Sequence, residues 1–448
     1  MDLALNSAET ASTAPFEVVA QKLVYGGAAL GHHNGRPVLI VGALPDERVE
    51  VEPTRQAKGM VHARLRRVLT PASERVVAAC PLFLQCGGCH YQHLDHPGQL
   101  EAKREILRET LRRIGGIDWP LDIGLHAGPP WGYRNQVQLK IGRDEEEHAA
   151  IGFFEAESHR LVPVRSCPIS SPLLNGIMAE ISQPPWVERL ARYEEIELLA
   201  DDRDEEVLLT VRGHGEGSAE LAQDCLQLLP GVVGVAIEPR STPGSRRLNR
   251  DPGGGQEDRF FGKPRLCYQV GEFRYETSPG SFFQASRYLL PEFVEAVASF
   301  AVDRSLVFDL YAGVGLFTLP LASRFSSVFA VEANHRSAAD LARNVASVGL
   351  ANTRTVCVKV ADFLRRYAQA APGLVVLDPP RAGCEAETLR LLAKLGPARI
   401  HYASCHPPTL SRDLAFLVRH GFELESIDLF DLFPQTFHIE TLAKLRRA

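Results

Sequence analysis

Polar and apolar residues alternate in short runs from Phe16 to Val68, FEVVAQKLV, RPVLIVGAL, ERVEVEP and MVHARLRRVL, parted by GGAALGHHNGR, PDE and RQAKG. A period of two broken by turn-forming residues predicts a small antiparallel barrel. The period changes in HPGQLEAKREILRETLRRIGG, which reads as a helix stopped by Gly115 and Gly116. From Trp131 to about Val270 the runs are again strand-like, and the Gly-, Pro- and charge-rich stretch RSTPGSRRLNRDPGGGQEDRFFGKP predicts a mobile loop within them. From Ser281 onwards, continuous apolar runs, SLVFDLYAGVG, SSVFAVEAN, GLVVLDPPR and ARIHYASCHP, alternate with helical segments. That alternation predicts a parallel, doubly wound sheet with its ligands at the carboxyl ends of the strands. No internal repeat is visible.

A chain of 448 residues suggests two to three domains. With 45% apolar and 23% charged residues and no apolar run of membrane-spanning length, neither disorder nor membrane spanning describes the chain as a whole. The first residues lack the basic start and apolar block of a secretory signal, so a cytoplasmic location is expected. A net charge of -6 gives no global attraction to a polyanion, and any nucleic-acid surface must be local. One candidate is the run Arg55, Lys58, Arg64, Arg66, Arg67 and Arg75, opposed in that stretch by Glu74 alone.

Candidate chemistry gathers in the last third. Asp309 ends a strand in DLYAGVG, where Gly313 and Gly315 permit a tight turn, and Glu332 ends the next strand, where a carboxylate suits ribose hydroxyls. A dinucleotide site prefers a third glycine, but Thr318 stands there, which favours S-adenosylmethionine, a nucleoside without phosphates. Asp362 suits the adenine amino group or an ordinary helix cap. Asp378 and Arg381 lie in LDPPRAG, Cys405 ends the strand of YASCHPPTLSRDL, and Glu440 follows the last strand-like run in HIETLAKL. A thiol beside a carboxylate suits methylation at carbon 5 of uracil. Addition of the thiolate to carbon 6 makes carbon 5 nucleophilic, and a base then removes its proton so that the thiolate can leave.

The nine cysteines do not form a secreted disulfide pattern. Cys80, Cys86 and Cys89 in CPLFLQCGGC suit a soft metal centre, either zinc or an iron-sulfur cluster. Cys167 is the next cysteine available as a fourth ligand, and His90 or His93 could serve zinc. Spacing alone leaves both metals open. Cys225, Cys267, Cys357 and Cys384 read as packing residues, and His32, His33 and His401 show no ligand pattern.

The motifs CPLFLQCGGCHYQHL, GYRNQVQLKIG, SPGSFFQAS, DLYAGVG, VEAN, LDPPRAG, YASCHPPTLSRDL and DLFPQTFHIE, in this order, resemble those of the RNA uridine-5-methyltransferase family with an N-terminal TRAM barrel. The resemblance implies an α/β fold with a Rossmann-like class I methyltransferase domain. It implies a barrel over 12–72, a mostly β central domain over 73–270 and a catalytic domain over 271–448, with the helix near 97–118 packed on the last. It implies Cys405 as nucleophile and Glu440 as base, and Gln284, Tyr311, Gly313, Leu316, Glu332, Asp362 and Asp378 around S-adenosylmethionine. It also implies a [4Fe-4S] cluster on Cys80, Cys86, Cys89 and Cys167, and a structured RNA substrate, ribosomal or transfer, for an enzyme acting as a monomer. Arg134 and the loop arginines Arg246, Arg247 and Arg250 are further candidates for RNA contact. Ser286 and His406 occupy positions where such proteins often carry Asn. The competing readings are methylation of an exocyclic amine, which needs no thiol at 405, and a non-catalytic iron-sulfur RNA-binding protein.

Overall fold

The computed structural model describes residues 14–213, 218–238, 259–299 and 305–448. The segment with Arg246, Arg247 and Arg250, where the mobile loop is expected, lies outside the described residues. The chain divides into two compact units: residues 1–107 with 155–158 and 433–438, and the remainder.

In the first unit the strands Phe16–Leu23, Ala28–His33, Arg36–Val41, Arg48–Ala57 and Met60–Thr70 close into a barrel. Val18, Ala20, Val38, Ile40, Val49 and Val51 point inward, which is the alternation expected of a barrel wall. The basic run is less basic in space than in sequence. Arg64 and Arg67 stand opposite Glu52 and Glu50 in the strand register, at 3.8 and 3.9 Å, and Arg55 lies 3.3 Å from Glu157. Arg75 is structural: it grips both oxygens of the buried Glu47, which also accept the N–H groups of Leu44 and Ala72. Burial pushes the Glu47 carboxyl up, but Arg75 and these N–H groups outweigh it and hold it below the usual range.

Cys80, Cys86 and Cys89 follow the barrel in a series of tight turns, and all three are half-buried. Gln92 accepts the Cys80 N–H at 2.9 Å. The excursion 433–438 joins this unit through Gln435, which exchanges hydrogen bonds with Gln99, and through the Phe433 carbonyl, which accepts from the fully buried Lys103 at 3.0 Å.

The second unit contains two large sheets. Seven strands run in the spatial order Arg259–Gly262, Val232–Glu238, Val207–Arg212, Glu195–Ala200, Gln136–Arg143, Ala149–Phe154 and Leu161–Pro163. One face, with Val137, Leu139, Ile196, Leu198, Leu209 and Val211, is covered by the helices Pro172–Ile181, Trp186–Leu190 and Ser218–Leu228. The other face of Glu195–Ala200 and Val207–Arg212 carries Glu195, Glu197 and Arg212, and Arg212 contacts Glu195, Glu197 and Glu238 at 2.6 to 2.8 Å.

Eight strands form the other sheet, in the order Thr353–Cys357, Ser327–Glu332, Leu306–Leu310, Leu374–Leu377, Arg399–Ser404, Glu440–Arg447, Phe422–Asp431 and Gly124–Ala127. The first five are parallel, as expected of near-continuous apolar strands buried on both faces. Glu440–Arg447 then inserts antiparallel beside Arg399–Ser404, so the sheet is mixed. The helix His96–Thr110 continues as a wider turn over Leu111–Gly115, which packs on the helix Pro407–Arg419. Gly115 is needed there, because a Cβ would stand 2.9 Å from the Ser411 carbonyl. Among the described residues no helix is long and apolar enough to cross a membrane.

Candidate active site

The parallel strands deliver their last residues to one edge of the catalytic sheet, and there the chain turns sharply. Tyr311, Gly313 and Gly315 have φ of 65°, 56° and 97°, so the turn after Leu310 is left-handed at three positions, and a Cβ at Gly313 would meet nothing within 4 Å. The turn is tied to the neighbouring strand end by Glu332, which accepts the N–H of Gly313 at 2.9 Å and of Asn334 at 2.6 Å. Burial raises the Glu332 carboxyl, while those N–H groups oppose the shift. Asn334 caps the next helix, His335–Val348.

That helix also anchors the loop before the sheet. Asp340, fully buried, accepts from Ser278 N–H at 2.9 Å and from the hydroxyls of Ser278 and Ser281 at 2.7 and 2.6 Å. Gln284 is buried a few residues further on. Leu316 is buried and its carbonyl is taken by the Tyr275 hydroxyl at 2.8 Å. The Tyr311 side chain turns towards Thr388 and Cys384. Asp362 is exposed in the first turn of the helix Val360–Arg366, paired with Arg365; the cap position is Lys359, so Asp362 does not cap.

Asp309, which the sequence marks only as a strand end, is fully buried, and Oδ1 has no hydrogen-bond partner among the described residues. Its Oδ2 accepts from the Thr318 hydroxyl, so the residue standing in place of a third glycine serves the carboxylate. Burial pushes Asp309 up to about 7, and the Glu332 charge adds to the rise. The signal for Asp309 lay in its two-sided burial within an all-apolar run.

Strand pairing brings the reactive residues together. Ser404 pairs with Thr441, so the next residues outward, Cys405 and Glu440, face each other at the sheet edge. Glu440 therefore opens its strand, where a position after the last strand was expected; the antiparallel insertion puts its N-terminal end beside the carboxyl ends of the parallel strands. Leu377 pairs with both Leu310 and Tyr402, which puts Asp378 at the same edge. Asp378 does not cap a helix, since the next one, Ala386–Leu395, is preceded by Glu385.

The electrostatics agree with this convergence. Burial pushes the Cys405 thiol up to about 12, with Glu440 and Asp378 raising it further, while Arg381 lowers it by its charge and a hydrogen bond. Burial and then Asp378 hold Glu440 well above the carboxylate range, and its Oε1 has no hydrogen-bond partner among the described residues. Burial and Asp309 push Asp378 up to about 7. In the ligand-free chain this edge favours proton-bearing groups, with Arg381 facing them as the opposing cation.

Cys80, Cys86 and Cys89 belong to the first unit and Cys167 to the second. Among the described residues no three His, Cys, Asp or Glu side chains converge as a metal-holding group. Asn175 accepts the Cys167 N–H at 2.7 Å and fixes that turn. Arg134 is half-buried and donates from Nε to the Gln136 carbonyl at 2.9 Å. Ser286 is buried and its backbone bridges Arg134.

Comparison with known proteins is consistent across the chain. Residues 258–448 match the family model described as tRNA (Uracil-5-)-methyltransferase. An uncharacterized RNA methyltransferase of Thermosynechococcus vestitus is 32% identical, covering 96% of this chain and 98% of that protein. The 23S rRNA (uracil(1939)-C(5))-methyltransferase RlmD of Alkalilimnicola ehrlichii is 33% identical, covering 97% of each chain. The crystal structure of Pyrococcus abyssi tRNA (uracil-54, C5)-methyltransferase in complex with S-adenosyl-L-homocysteine superposes with a TM-score of 0.73 over 96% of this chain and all of that one, at 22% identity. With relatives above 30% identity spanning nearly its whole length, the chain belongs to the RNA uracil-5-methyltransferase family.

Proposed function

We propose that this chain methylates carbon 5 of a specific uridine in structured RNA, with Cys405 as nucleophile and Glu440 as base. The observation that carries the reading is the pairing of Ser404 with Thr441, which sets the thiol and the carboxylate across from each other, beside Asp378 and Arg381.

The target uracil has to be drawn out of the RNA to reach this edge, at a cost of about a few kcal/mol. Cys405 then gives its proton to water, a loss that Arg381 favours by holding the thiolate, and the thiolate adds to carbon 6, pushing the electron pair of the carbon 5–carbon 6 double bond into the ring so that carbon 5 becomes nucleophilic. Asp378 and Glu440 in their protonated forms no longer oppose the thiolate. The turn of Tyr311, Gly313 and Gly315, with Leu316, Glu332, Asp362, Asp378 and Gln284, would hold S-adenosylmethionine, which would supply a methyl group activated by a sulfonium charge, its sulfur leaving as a neutral thioether. The fit rests on the open face at Gly313, the fixed carboxylate of Glu332 and the unpartnered buried oxygen of Asp309. After methyl transfer Glu440 gives its own proton to water; in the last step the resulting carboxylate takes the proton from carbon 5, and the electron pair of that bond expels Cys405 as thiolate.

Thiolates suit a soft metal centre, and the half-buried Cys80, Cys86 and Cys89 within one turn-rich loop would supply three ligands to a [4Fe-4S] cluster. The cluster takes no part in the methylation steps above. As substrate we favour large-subunit ribosomal RNA, because the relative named for it is 33% identical over 97% of this chain, whereas the transfer-RNA enzyme, at 22%, shares the fold.

The test is mass-spectrometric mapping of 5-methyluridine in RNA from cells with and without the gene, combined with two variants. Cys405→Ala should abolish the modification, and Glu440→Gln should accumulate an RNA–protein complex that survives denaturing electrophoresis. Full activity of Cys405→Ala would favour methylation of an exocyclic amine.

A further inference from the structure

The loop that follows Asp378 is gripped by a buried carboxylate that the proposed chemistry leaves unused. Asp413 sits fully buried on the helix Pro407–Arg419, eight residues after Cys405. Its Oδ2 accepts the Cys384 N–H at 2.8 Å and the Tyr402 hydroxyl at 2.7 Å, and its Oδ1 accepts from Arg412 Nε at 2.7 Å. Arg412 Nη2 in turn donates to the carbonyls of Ala382 at 3.1 Å and Cys384 at 3.2 Å. Tyr402 lies in the strand Arg399–Ser404 that ends just before Cys405, and its hydroxyl lies 3.6 Å from Cys384 Sγ. The same thiol is hydrogen-bonded by Tyr311 of the cofactor turn. Gly383 marks how closely the loop sits on this junction. Its φ is 74°, and a Cβ there would lie 2.7 Å from Asp413 Oδ2 and 2.6 Å from Arg412 Nη2.

A buried acceptor that satisfies donors from three elements makes the position of each depend on the others. We infer that Asp413 is a positioning residue for methylation: by holding Cys384 and Tyr402 it sets the Arg381–Cys384 segment, and so Arg381, against the strand end that presents Cys405. The inference rests on the proposed reaction. Its effect belongs to the chemical step, because Glu332, Gly313 and Gly315 are not among its partners, and misplacement by about 1 Å can cost on the order of a hundredfold in rate.

Asp413→Asn keeps the size of the side chain but puts an amide donor where N–H, O–H or guanidinium donors converge. With RNA from cells lacking the gene as substrate, kcat per cofactor-binding site should fall about 10- to 100-fold while the KM for S-adenosylmethionine stays within about threefold. The rate of covalent capture by RNA containing 5-fluorouridine should fall by the same factor. A variant that loses only thermal stability, with kcat per binding site unchanged, overturns the inference. If Asp413→Asn does not fold, Arg412→Gln at the half-exposed neighbour decides: it should lower kcat by about fivefold or more, and an unchanged kcat overturns the inference equally. A wild-type enzyme that forms no 5-methyluridine identifies instead the failure of the reaction itself, and the inference falls with it.

Discussion

At the scale of single residues, burial governs which groups hold protons. Asp309 and Asp378 are both held up to about 7, against 3.8 for a free aspartate. Between those values the folded chain binds more protons than the unfolded one, so ligand-free stability should fall as the pH rises from about 4 to about 7. For one such group the effect is at most about 4 kcal/mol, at about 1.4 kcal/mol per pH unit of displacement. Asp309→Asn removes this term, and scanning calorimetry should find it raising Tm more at about pH 8 than at about pH 5. Equal gains at both values would contradict the assignment of the shift to Asp309. The candidate residues at this edge were readable as residues, because strand ends followed by glycine or proline are distinctive. Their proton affinities were not, since those depend on how completely neighbours from other strands exclude water.

At the scale of elements, one substitution shows how a local role survives a change of residue type. His406 precedes the helix Pro407–Arg419 as its cap: the ring nitrogen Nδ1 accepts from the Thr409 N–H at 3.3 Å. Burial, then the charges of Arg381 and Arg412, hold this imidazole below its usual value, which keeps it neutral and able to accept. A lowered histidine binds fewer protons folded than unfolded, so its contribution is present above about pH 6.5 and is lost as the pH falls below that. His406→Asn should therefore match or exceed the wild type in Tm at neutral pH and abolish the acid-side loss, whereas His406→Ala should cost about 1 kcal/mol. Denaturant unfolding at several pH values measures both. A His406→Ala chain as stable as the wild type would remove the cap from the account. The helix itself was legible, with Pro407 at its first position; so was the doubly wound core, from its apolar runs. The antiparallel insertion of Glu440–Arg447 was not, because a short apolar run carries no mark of its direction. The pairing of the barrel arginines was hidden for the same reason: the carboxylates opposite them come from another strand.

At the scale of the whole molecule, the features least visible in the chain are those made by distant segments. Residues 433–438 leave the catalytic sheet's sequence neighbourhood and exchange hydrogen bonds with Gln99 and Lys103, more than 300 positions earlier. No periodicity announces such a pairing, and no composition does. The cysteine loop is the opposite case, since its spacing alone narrows the chemistry to a soft metal while leaving zinc and an iron-sulfur cluster both open. Metal content separates the two. Protein purified without oxygen should carry iron and acid-labile sulfide in equal amounts, close to four of each per chain, with zinc well below one. Cys86→Ser should lose iron and sulfide together. If the cluster only organises structure, the same variant should lose thermal stability, yet its remaining folded fraction should still form the covalent RNA complex through Cys405. Stoichiometric zinc without sulfide would overturn the cluster, and it would leave the chemistry of Cys405 and Glu440 intact, because none of those steps passes through the metal.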